Sequence, residues 1–85
     1  VPKPLVFTAH ARQVMAEREL AEDWVDRTVR APEWREPDPA DPAVERRFRT
    51  VPEREDRIMR VACLESATDI RILSAFLDRG ARRPQ

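Results

Sequence analysis

His10 is the only imidazole in this 85-residue chain, within the run Phe7-Thr8-Ala9-His10-Ala11-Arg12-Gln13-Val14-Met15-Ala16-Glu17-Arg18. An imidazole titrates close to neutral pH and can give or take a proton in general acid–base catalysis. Arg18 falls within the angular range spanned by Ala11, Val14 and Met15, the apolar stripe of a helix. Charges are rarely placed there without a partner, so His10 and Arg18 form the first candidate catalytic pair. The competing readings are structural: an imidazole bonded to a backbone group, and an arginine ion-paired with Glu17 or Glu65.

Arginine supplies fifteen of the sixteen basic residues, and Lys3 is the only lysine. Guanidinium groups grip phosphate and carboxylate bidentately and stack on bases; codon bias in a GC-rich genome yields the same composition. Side chains alternate across a strand. If Phe48, the Met59-Val61-Cys63 row and the Ile70-Ile72-Ser74-Phe76 row meet the core, then Arg47, Arg49, Arg60 and Arg71 share the opposite sheet face. Such a face can bind a phosphate backbone, or it can be a solvated face neutralised by nearby carboxylates.

Cys63 stands alone, so no intrachain disulfide forms, and its apolar neighbours Met59, Val61 and Leu64 point to a buried, inert thiol. One Cys and one His cannot assemble a zinc site without several carboxylates. A Ser-His-Asp set, a Gly-rich phosphate loop and a metal motif are all lacking, so no metal or cofactor is expected. No signal peptide, long apolar run or lipidation motif is found in these residues; a cytoplasmic protein with no membrane association is the expectation.

The elements that must position these groups follow from the pattern. Val1-Pro2-Lys3-Pro4 is an extended lead-in. Leu5-Val6-Phe7 reads as a short strand, and Thr8 as the N-cap of a helix over about residues 9–19. A second helix runs from about Glu22 to Arg30, with Trp24, Val25, Thr28 and Val29 on one face and the acid-to-base pairs Asp23–Arg27 and Asp26–Arg30 on the other. Glu19-Leu20-Ala21 is too short for anything but an αα-hairpin. Residues 32–42 hold four prolines and read as a stiff connection, extending to about residue 45, that Trp34 pins to the body of the domain. Strands follow at 46–51, 58–64 and 70–76, joined by short polar links that imply antiparallel hairpins. Residues 79–85 form a loose basic tail.

The expected fold is therefore α+β, in the order β-α-α-β-β-β, with a two-helix hairpin on one face of a small antiparallel sheet. A single domain of this size buries roughly 60% of its unfolded surface, so dimerisation would help it. Formal net charge is zero, but residues 1–44 carry six basic and nine acidic groups, and residues 45–85 ten basic and seven acidic.

The pattern His10-Ala11-Arg12, Met15, Glu17-Arg18, Leu20, Trp24-Val25 and Ala31-Pro32-Glu33 resembles a widespread family of small bacterial domains known only as domain of unknown function 4258. Arg60-Val61 and the run Asp69 to Phe76 with Asp78-Arg79 are similar to its last two strands. The resemblance covers nearly the whole chain except the proline segment. In fold order that family is similar to RelE/ParE-type toxins and BrnT-like ribonuclease toxins, which pair with an antitoxin. The resemblance implies RNA binding or cleavage and an antitoxin-like partner. His10 would be the general acid or base, and Arg18, Arg49, Arg60 and Arg71 would hold phosphates and developing charge.

Two departures from the family pattern matter. The helix corner, where relatives often carry glycine and then a capping residue, has Glu19 and Ala21, which predicts a corner that is strained or differently wound. Ser74 and Phe76 stand where Thr and Tyr are common, and Phe76 has no hydroxyl to donate. The alternative function is a non-catalytic interaction module or homodimer, which zero net charge favours. A small metabolic enzyme ranks behind both, for want of a nucleophile or cofactor motif.

Overall fold

The computed structural model describes residues 3–82. Val1 and Pro2 of the lead-in, and Arg83, Pro84 and Gln85 of the tail, lie outside the described residues. The chain runs β1 (Leu5–Phe7), α1 (Ala9–Glu17), α2 (Glu22–Arg30), β2 (Trp34–Pro37), β3 (Glu45–Val51), a 3-10 turn (Pro52–Arg54), β4 (Arg57–Glu65) and β5 (Ile70–Leu77). The α+β class and the two-helix hairpin on one sheet face are as expected. The sheet has five strands in the order β1-β5-β4-β3-β2, not four. The additional strand, β2, comes from the proline segment. Proline is tolerated there because β2 is an edge strand, and Pro37 is its last residue. β1 pairs in parallel with β5, through Leu5↔Ile70 and Phe7↔Ile72, while every other pairing is antiparallel. The helical hairpin and the later strands provide the long crossover that a parallel neighbour requires.

Thr8 caps α1 as its residue type predicts: its hydroxyl accepts the Ala11 N–H at 3.1 Å. The helix ends at Glu17, two residues earlier than its pattern suggests. The Leu20 N–H donates to the Met15 carbonyl at 2.9 Å and the Glu19 N–H to the Ala16 carbonyl at 3.3 Å. These are the two bonds of a Schellman motif, with Glu19 at the position that ordinarily takes glycine. Glu19 accordingly adopts φ 54°, the left-handed region in which a Cβ costs about 1–2 kcal/mol. α2 has no side-chain cap at Ala21; Glu22 and Asp23 in its first turn answer the helix dipole instead.

One core lies between the helices and the sheet. Ala11 and Met15 of α1, Leu20 of the corner and Val25 and Val29 of α2 meet Val51, Met59, Val61, Cys63, Ile70, Ile72 and Ala75. Fully burying each Val, Ile or Met contributes roughly 1.5–3 kcal/mol. Cys63 lies fully inside, and burial pushes its thiol pKa up. Among the described residues no helix is long and apolar enough to cross a membrane.

Candidate functional site

The expected four-arginine face does not form. On β4 the alternation is as read: Met59, Val61 and Cys63 point to the helices, and Arg60 points away. On β3 the parity is inverted. Arg47 and Arg49 face the helices, whereas Phe48 turns to the helix-free side and stacks on Trp34, with ring centroids 4.7 Å apart.

The reason is the C-terminus of α2, whose last carbonyls have no partners within the helix. Arg47 Nη1 donates to the Val29 carbonyl at 3.0 Å and Arg49 Nη1 to the Ala31 carbonyl at 2.6 Å. Cations at a helix C-terminus also suit its dipole. Arg47 further donates Nε to Glu45 at 2.7 Å and Nη2 to Glu65 at 2.6 Å. Burial alone would lower its pKa, but the two carboxylates outweigh burial and raise it. The bonds from Arg47 and Lys3 hold the Glu65 carboxyl at about 2. Arg47 and Arg49 therefore brace the C-terminal end of α2 against the sheet.

A bulge alters β5. Ala62 pairs with Ser74 and Cys63 with Ile72, which leaves Leu73 as the extra residue. Ile70 and Ile72 face the core as expected, but past the bulge Ala75 and Leu77 face inward, and Ser74 and Phe76 stand on the helix-free side. Arg60 lies over the Phe76 ring at 4.1 Å and pairs with Asp78 at 3.3 Å. Burial lowers its pKa, with the nearby Arg46 adding to the effect. Arg71, opposite Leu64, is exposed and has no carboxylate within 4.0 Å among the described residues.

His10 and Arg18 are not brought together. His10 is exposed on the first turn of α1, and its ring makes no hydrogen bond among the described residues. Arg18 is the C-cap of α1, beyond the last helical residue. Eight positions at 1.5 Å and 100° each separate the two by about 12 Å and about 80°. Neither Glu17 nor Glu65 pairs with Arg18: Glu65 binds Lys3 and Arg47, and the Arg18 guanidinium lies 6.0 Å from the Phe76 ring centroid.

What Arg18 does meet was not legible from the strand pattern. Arg18, Arg54 and Arg57 line one cavity of about 200 Å³, together with Leu20 and Leu77, and no acidic residue lines it. Arg54 is held 5.7 Å from the Trp24 ring centroid, and its Nη1 donates to the Glu19 carbonyl at 3.4 Å. Arg54 and Arg57 fall in the short polar link expected between the strands at 46–51 and 58–64. Their convergence on Arg18 depends on the helix corner meeting the end of β5, which local spacing does not encode.

The arginines thus fall into two groups. Arg12, Arg27, Arg30, Arg35, Arg46, Arg47 and Arg60 are ion-paired, and Arg49 is bonded to the Ala31 carbonyl. Arg18, Arg54, Arg57, Arg71, Arg79 and Arg82 make no ion pair among the described residues; Arg18, Arg54 and Arg57 line the cavity at the C-terminal end of β5, and Arg71 stands on the helix-free face where β1 still covers β5. β1 covers β5 only over Ile70–Ile72, so beyond that point β5 is a sheet edge flanked by α1. This flank can offer guanidinium donors to an extended anion without first breaking an ion pair.

The fold and this cationic flank define a small α+β domain with a two-helix hairpin on a mixed sheet. The chain belongs to the family described as Domain of unknown function (DUF4258), which matches residues 7–76. No significant match was found among curated proteins or among solved structures.

Proposed function

We propose that this domain is a toxin-like RNA-binding protein, with the RNA strand running between Arg71 on the helix-free face and the cavity at the C-terminal end of β5. The observation that supports this most is the sorting of its arginines. Those on α2, β2 and β3 are committed to carboxylates or helix carbonyls, whereas Arg18, Arg54, Arg57 and Arg71 keep their charge available. Phosphate contacts of this kind supply sequence-independent affinity, and their number sets its salt dependence. An acidic antitoxin-like protein would be recognised by the same groups. In a ribonuclease His10 would carry the proton transfer, positioned by the bound strand, since no hydrogen bond among the described residues orients its ring.

Fluorescence anisotropy with a short single-stranded oligoribonucleotide tests the binding. Arg18→Ala and Arg71→Ala should each weaken affinity and reduce the salt slope by roughly one. Arg35→Ala, which removes a charge already paired with Glu45, should change neither. Equal affinity and slope in all three variants would overturn the reading.

A second reading has one observation in its favour. Val6 and Leu64, the exposed large apolar residues, both pair with Arg71 through β1 and β4. A patch of this kind suits a non-catalytic contact with a protein partner or a second copy. A sedimentation mass that rises with concentration in the wild type, but not in Leu64→Glu, would favour that reading.

A further inference from the structure

We infer that the cavity between the α1–α2 corner and the end of β5 is a seat for a phosphate monoester: a free phosphate, or the terminal phosphate of an RNA strand. The strand-end form rests on the RNA reading above; the free-phosphate form does not.

Three features of the cavity support this assignment. The first is charge. Arg18, Arg54 and Arg57 line the space and no acidic residue does. Glu53 pairs with Arg27 at 2.9 Å, Asp78 pairs with Arg60 at 3.3 Å, and Glu55 and Asp56 line a neighbouring cavity to which Arg57 also contributes. A monoester carries about −1.5 to −2 at pH 7 against −1 for an internal diester, so it matches three guanidinium groups better.

The second feature is shape. The cavity is about 200 Å³, below the roughly 300 Å³ at which pockets for drug-sized ligands begin, and Leu20 and Leu77 are its non-polar lining. A compact end group fits such a space, whereas a continuous strand would have to enter and leave it.

The third is backbone strain. Among the described residues only Glu19, Glu55 and Asp56 have positive φ, at 54°, 57° and 59°, and each is next in sequence to a residue that lines this cavity. Glu19 turns the chain so that Leu20 packs inward. Glu55 and Asp56 reverse it between Arg54 and Arg57, so that both residues line the same space. Left-handed non-glycine residues concentrate at ligand clamps, where the surrounding structure holds them.

The test compares three probes on the intact protein by NMR titration and anisotropy: inorganic phosphate, a 5′-phosphorylated oligoribonucleotide, and the same strand with a 5′-hydroxyl. Phosphate at millimolar concentration should shift the signals of Arg18, Leu20 and Arg57. The phosphorylated strand should bind about tenfold more tightly than the hydroxyl strand, and Arg57→Gln should erase that difference. Saturation by phosphate with neither strand binding would uphold the seat and refute the RNA reading. Equal binding of the two strands with no phosphate-induced shift would refute the seat and leave the RNA reading standing. The wild-type comparison needs no variant to fold.

Discussion

Replacing Arg47 by methionine should be among the most damaging single changes to this domain. Methionine keeps much of the aliphatic length, so the effect isolates the guanidinium. Three bonds are lost: to Glu45 at 2.7 Å, to Glu65 at 2.6 Å and to the Val29 carbonyl at 3.0 Å. Removing one partner of a buried charge pair costs about 3–5 kcal/mol. Here the two carboxylates are more than a third exposed (Glu65, 39%) or close to it (Glu45, 34%), so they can turn to water and that part is discounted. The Val29 carbonyl loses both a donor and a favourable charge at the helix end, about 1 kcal/mol. Together these give about 3 kcal/mol, which at ~4–8 °C per kcal/mol lowers Tm by about 12–24 °C. Thermal unfolding followed by circular dichroism reads this directly. Arg71→Met, which removes an exposed arginine without an ion pair, should stay within about 0.5 kcal/mol of the wild type. If Arg47→Met and Arg71→Met unfold at the same temperature, the division of the arginines into framework and free groups is wrong.

Three further outcomes follow from the same geometry. The Glu65 carboxyl, held at about 2 against a reference value of 4.5, contributes stability that is present above pH ~4.5. That contribution is lost as the pH falls towards 2, because the unfolded chain takes up the proton first; urea midpoints should fall across this window, and less so in Glu65→Gln. Glu19→Gly removes the Cβ penalty at φ 54° and should raise Tm by several degrees, corresponding to about 1 kcal/mol; an unchanged or lower Tm would count against a strained corner. Cys63 has no exposed surface and a raised thiol pKa, so a thiol reagent should label it only once denaturant is added.

The helical half of the fold is legible in the sequence because its signals are local. Thr8 as cap, the Trp24-Val25-Thr28-Val29 stripe, the pairs Asp23–Arg27 and Asp26–Arg30, and strain at a glycine-free corner all lie within one or two turns. The sheet half is less legible. Phe48 and Arg47 exchange faces because two partners distant in sequence, the α2 carboxy end and Trp34, compete for the two sides of β3. The bulge at Leu73 resets the alternation of β5 halfway along, and nothing in Ile70-Arg71-Ile72-Leu73-Ser74 announces it. For the same reason only part of the candidate site was legible: Arg18 and Arg71 keep their charge available, Arg47, Arg49 and Arg60 serve the framework, and Arg54 and Arg57 emerge only from the tertiary fold.

The most direct test of the central claim is an NMR map of arginine side-chain and backbone shifts during titration with a single-stranded oligoribonucleotide. The account predicts changes at Arg18, Arg54, Arg57 and Arg71, with Arg30, Arg35 and Arg47 silent. Changes confined to α2, β2 and β3, or none at saturating RNA, would contradict it.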